Sequence, residues 1–142
     1  MSSPTVAILV RTKGRPRFLS RALENIAQQT FTDYTVCVIN DGGDEQATRA
    51  VIEASPLGSG RVQLLTTAGG NMEAASNAGL AATTSEYVAI HDDDDLWAPE
   101  FLERTVAALE ESGALMCTTR VVERYERKNA DGEFEVYEER IF

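Results

Sequence analysis

The chain has 142 residues, 43% of them hydrophobic, and its 23 acidic side chains outnumber 13 basic ones to leave a net charge of -10. That mixture suits one compact domain with a proper core and excludes disordered and fibrous classes. The acidic balance argues against nucleic-acid or anionic-membrane partners, so any anionic ligand must be held by a cation or by a small basic cluster.

The N-terminal Met1-Ser2-Ser3-Pro4 lacks the charged and apolar regions of a signal peptide. No later stretch approaches the roughly 18 apolar residues of a membrane span, and a cytoplasmic chain without a transmembrane segment is expected. Val6 to Val10 is a continuous apolar run of strand length, and Pro16 opens a helix in which Phe18, Leu19, Ala22, Leu23, Ile26 and Ala27 recur at helical spacing. Val36 to Ile39 reads as a second strand, Asn40-Asp41-Gly42-Gly43 as a turn, and Asp44 as the cap of a helix through Ala47, Val51 and Ile52. Ser55 to Gly60 is a loop, Val62 to Leu65 a third strand, and Asn71 caps a small-residue helix through Met72, Ala75, Ala78 and Leu80 whose alanines imply close packing on a sheet. Tyr87 to Ile90 makes a fourth strand, and Pro99 starts a helix that turns Phe101, Leu102, Val106 and Leu109 inward. Ala114 to Val122 reads as a fifth strand, and Asn129-Ala130-Asp131-Gly132 as a hairpin tip. Cys37 and Cys117 fall in apolar runs without metal-ligand spacing and are expected to be buried, reduced thiols. Strands alternating with helices imply an α/β class with a mostly parallel sheet flanked by helices and a C-terminal β-hairpin.

Open α/β sheets bind ligands at the carboxyl ends of their strands. The first strand empties into Arg11-Thr12-Lys13-Gly14-Arg15-Pro16-Arg17, where four basic residues fall within seven positions. Such a cluster suits a phosphate neighbour, with a solvated basic turn as the alternative. Asp41, at the end of the second strand, can accept hydrogen bonds from a nucleobase or ribose, although Asp-Gly is also ordinary turn chemistry. The fourth strand ends in His91-Asp92-Asp93-Asp94-Asp95. Adjacent carboxylates repel one another, and a divalent cation is the simplest offset. If the run is extended, Asp92 and Asp94 share a side and can serve one ligand assembly. His91 reads as a positioned strand-end residue rather than a base.

These pieces, together with Ala27-Gln28-Gln29-Thr30-Phe31 and Ala75-Ser76-Asn77-Ala78-Gly79-Leu80, occur in the order seen in family 2 glycosyltransferases, and the resemblance spans Val6 to about Arg120. It implies a GT-A fold, an inverting transfer from a nucleotide-diphosphate sugar, most simply a UDP-sugar, and Mg2+ or Mn2+ as cofactor. By the same resemblance Arg11 and Thr12 line the nucleoside pocket, and Asp41 contacts the base. Asp92 and Asp93 lie against ribose and sugar, and Asp94, with Asp92, holds the metal. Arg11, Lys13 and Ser76 stand where the family usually has proline, tyrosine and arginine. The family's catalytic base lies downstream of the metal motif, in an acceptor half this chain is expected to lack. No base is assigned: Glu133, Glu135, Glu138 and Glu139 read as surface charge. Residues 1–142 are therefore expected to form a single nucleotide-sugar-binding domain, the acceptor being an unknown saccharide, lipid or protein. The alternative is a non-catalytic nucleotide-sugar-binding module or a donor-binding fragment. A receiver domain is disfavoured because basic residues follow the first strand. An EF-hand is disfavoured because the aspartates lack that loop's spacing.

Overall fold

The computed structural model describes residues 4–142; residues 1–3, which open the segment read for a signal peptide, lie outside the described residues. The chain divides into two compact units, the first ending at Arg104 and the second running from Thr105 to Phe142.

The first unit is built on four parallel strands, β1 (Val6–Thr12), β2 (Tyr34–Asp41), β3 (Val62–Thr67) and β4 (Tyr87–Asp92), in the order β3-β2-β1-β4. Every strand is longer than its apolar run because polar residues such as Arg11, Thr12, Asn40, Asp41 and Asp92 continue the ladder past the core. Between the strands lie α1 (Pro16–Ala27), α2 (Glu45–Ala54), the short α3 (Gly58–Arg61) and α4 (Met72–Ala82). Pro16 opens α1 as expected, since proline fixes a helical φ and its missing N–H has no partner to lose there. The two expected caps form: Asp44 accepts from the Gln46 and Ala47 amides, and Asn71 accepts from Ala74 at 2.8 Å. Only the α3 turn interrupts the loop expected from Ser55 to Gly60.

Strand parity assigns the faces. Leu9, Cys37 and Ile39 pack with Ala75 beneath α4. A Cβ on Gly79 would stand 2.8 Å from Ile39 Cδ1, so the small residues of α4 are what let the helix lie on the sheet. Val88 and Ile90, in register with Ala7 and Leu9, lie on the same face of the sheet but at an edge strand, and remain exposed. Leu19, Ala22, Leu23 and Ile26 of α1 are fully buried.

The unit boundary falls within α5 (Phe101–Ser112), which starts two residues after Pro99; Leu102 and Val106 are its buried positions. The second unit carries an antiparallel hairpin, β5 (Val122–Lys128) and β6 (Phe134–Ile141), turned at the expected Asn129–Gly132 tip. The expected strand from Ala114 to Val122 does not form: residues 114–121 are irregular and Leu115 is fully exposed. Strand preference reflects a fit to a half-buried pleated surface, and among the described residues no strand pairs with residues 114–120, while Val121 pairs with Phe142 beside the hairpin. The same departure leaves Cys117 exposed, whereas Cys37 is buried as expected. Among the described residues no helix is long and apolar enough to cross a membrane.

Candidate functional site

In this sheet order the chain leaves β1 for β2 on one side and returns to β4 on the other, so the crevice outside the carboxyl ends of β1 and β4 is the switch point where ligands bind. Parity then sorts the polar residues that overrun the core. Arg11, Asp92 and Asp41 project toward the α4 face, continuing the rows of Leu9, Ile90 and Ile39. Thr12 and His91 project toward the opposite face, where the His91 ring reaches Asn25 of α1.

Arg11 and Asp92 are register partners on adjacent strands and form a two-pronged ion pair, with Nε and Nη2 each donating to a carboxylate oxygen at 2.7 Å. The remaining Nη1 donates to the Met72 carbonyl at 3.3 Å and to Ser76 Oγ at 3.2 Å. A guanidinium from β1 thus rests against the first turns of α4, beside Ser76. Asp93 is turned inward with its side chain fully buried, accepting from Thr12 Oγ1 at 2.7 Å and from Arg15. Burial pushes its carboxyl above the usual range, against the opposing pull of Thr12 and Arg15. Arg15 also donates to Asp94 Oδ2 at 3.1 Å. Burial lowers the pKa of Arg15, but the two aspartates outweigh it and leave the guanidinium more firmly protonated. The run is not extended past Asp92, for the Asp95 amide bonds back to the Asp92 carbonyl at 3.0 Å and closes a turn. Carboxylate repulsion is therefore offset within the chain by Arg11 and Arg15, two members of the basic cluster.

A cavity of about 230 Å³ opens beside these groups, walled by Arg11, Thr12, Lys13 and Arg15 on one side, Asp92 and Asp94 on another, and Asp41, Met72 and Ala75 beyond. Arg11, Thr12, Asp41, Asp92 and Asp94, all expected at the site, are brought together here. Asp93 does not line the cavity; it anchors Thr12 and Arg15 from below.

Two contributors, Asn40 and Thr67, had no site role in the sequence reading, and a third, Gly42, belongs to the turn read there. Asn40, fully buried, clamps the turn through its side chain, donating to the Gly43 carbonyl at 2.8 Å and accepting from the Gly43 amide at 3.1 Å. Gly42, with φ of 79°, passes close to Gly69, where a Cβ would stand 3.0 Å from the Gly69 Cα. Thr67 donates its hydroxyl to Asp41 Oδ1 at 2.8 Å. His91 is a strut, as its strand-end position suggested. Its Nδ1 lies 2.7 Å from the Asp92 carbonyl and its ring centroid 4.6 Å from that of Trp97, while burial holds its pKa below the usual value.

Asp94, exposed, and Asp92, partly buried, stand on the cavity wall and could contribute carboxylate ligands to a hard divalent cation. Among the described residues no group of three or more His, Cys, Asp or Glu side chains forms a complete protein cage. Asp94 is the freer of the two, since Arg11 engages both oxygens of Asp92.

The family model described as "Glycosyl transferase family 2" matches residues 7–140. A relative, the uncharacterized glycosyltransferase alr2836 of Nostoc sp., is 28% identical over 107 residues, which is 75% of this chain and 33% of that protein. Among solved structures, the mannosyltransferase PcManGT from Pyrobaculum calidifontis, in complex with GDP-Man and Mn2+, is 26% identical with a TM-score of 0.65 over 77% of this chain and 33% of that one. S. aureus TarS superposes with a TM-score of 0.67 at 20% identity, over 77% of this chain and 20% of its own, a likeness of fold. The chain thus spans about a third or less of the proteins it matches here. The architecture is the expected GT-A fold, and the chain belongs to glycosyl transferase family 2.

Proposed function

We propose that this chain is the donor-binding part of an inverting, metal-dependent glycosyltransferase that takes a nucleotide-diphosphate sugar, most simply a UDP-sugar. The observation that carries this reading is the convergence of Arg11, Thr12, Asp41, Asp92 and Asp94 on one cavity at the switch point of the sheet.

Asp41 accepts from the base, and the Asn40 clamp holds its turn. Arg11, fixed by Asp92 and Ser76, forms a wall of the nucleoside pocket that does not have to be ordered when the ligand arrives. Asp92 lies against the ribose and sugar. Asp93 acts as a positioning residue, since its buried carboxylate fixes Thr12 and Arg15. Asp94, with Asp92, would hold Mg2+ or Mn2+, and the PcManGT complex with GDP-Man and Mn2+ supports that choice. When bound, the cation supplies charge neutralisation for the diphosphate in an acidic protein and stabilises it as a leaving group.

An inverting displacement also needs a carboxylate to take the proton of the acceptor hydroxyl. Glu135, Glu138 and Glu139 are exposed and paired with arginines of the hairpin itself, and Glu133 is exposed, so the base is assigned to an acceptor half outside these residues. The test is donor turnover by this chain and by a longer natural form. Sugar transfer by the longer form alone is expected, with the isolated chain binding donor. Donor binding without turnover by either would instead make it a nucleotide-sugar-binding module.

A further inference from the structure

Asp41 and Thr67 are register partners at the ends of β2 and β3, so their side chains leave the sheet on the same face. The Thr67 hydroxyl donates its one proton to Asp41 Oδ1 at 2.8 Å, and among the described residues no other side chain hydrogen-bonds this carboxylate. Asp41 lines the cavity. One of its oxygens therefore already accepts a hydrogen bond, while the other accepts none from a described side chain.

Nucleobases differ in what they offer a carboxylate. Guanine presents two adjacent N–H donors, from N1 and the 2-amino group, which bind best when both oxygens are free side by side. Uracil presents a single ring N–H between two carbonyls, which needs one oxygen. Resting on the donor-site reading above, we infer that Thr67 is a positioning residue for nucleobase choice: by holding Asp41 Oδ1 it leaves a single-acceptor edge that favours uracil over guanine. An oxygen that already accepts a hydrogen bond is a poorer site for the guanine amino group, and the threonine also fixes the rotation of the carboxylate that a two-pronged contact would require.

Calorimetric titration of the chain with UDP and with GDP in excess Mn2+ tests this. Wild type is expected to bind UDP at least about ten-fold more tightly than GDP, a margin within reach of a site built around one hydrogen-bonded contact. Thr67→Val removes the donor without removing bulk and is expected to bring the two affinities within about three-fold of each other. Thr67→Ser keeps the hydroxyl and is expected to restore the preference, which a purely structural role for the threonine methyl would not produce. Equal affinity for UDP and GDP in wild type overturns the inference while leaving the donor site standing, as does an unchanged preference in Thr67→Val. Failure of both nucleotides to bind wild type overturns the donor-site reading, and this inference with it.

Discussion

Asp92, Asp93 and Asp94 are chemically alike and adjacent, yet strand parity and the turn after β4 give each a different environment. Asp92 faces Arg11 across the ladder, Asp93 is buried under Thr12 and Arg15, and Asp94 stands half-exposed at the cavity with one bond to Arg15. Different substitution costs follow. Thr12→Val leaves a buried carboxylate with one donor fewer, and about 1–3 kcal/mol of stability should be lost in urea denaturation. Asp94→Ala removes only a surface ion pair, so stability should stay within about 1 kcal/mol of wild type. It should nevertheless abolish any Mn2+-dependent gain in UDP affinity; unfolding of Asp94→Ala would mean that the carboxylate serves structure. The strand-end positions of Arg11, Asp41 and Asp92 were legible because apolar runs mark where strands stop. The Arg11–Asp92 pairing was not, because the partners lie 81 residues apart and meet only through the adjacency of β1 and β4. With that hidden, repulsion among the carboxylates pointed to a metal alone, and the part played by the neighbouring arginines went unread.

Among the elements, the four parallel strands and the helices α1, α2 and α4 between them follow from local pattern, because each apolar run is followed by a capping or helix-starting residue whose chemistry is visible in place, whereas the short α3 turn does not. Residues 114–121 show where such reading stops. The run Leu115-Met116-Cys117 has strand composition, but composition does not supply a partner strand, and the segment remains irregular and exposed. Thr67 and Asn40 were missed for a related reason, since a threonine or asparagine at a strand end has no local mark that tells a clamp from a solvated side chain. The difference between the two cysteines is directly measurable. Cys117 should react with a maleimide in the native protein, whereas Cys37, buried in β2 with its thiol pKa pushed up by burial, should label only on unfolding. Mass spectrometry of the native protein should show one adduct, at Cys117; an adduct at Cys37 under those conditions would contradict the packing of β2 beneath α4.

At the scale of the whole molecule, a net charge of -10 sets the electrostatic problem that the site must solve. A nucleoside diphosphate adds further negative charge, and Arg11 and Arg15 are already committed to Asp92, Asp93 and Asp94. The arginines are spent on the carboxylates, which leaves Lys13 as the cavity-wall cation outside these pairs, and the proposed donor site adds a divalent cation as the bridge to the diphosphate. The most direct measurement is UDP titration by calorimetry in Mn2+ and again after chelation. A metal-bridged donor site requires binding in Mn2+ that weakens by about ten-fold or more when the metal is removed, because the diphosphate then meets the acidic wall with no cation bridging the two. Equal affinity with and without Mn2+, or no binding in either condition, would contradict it.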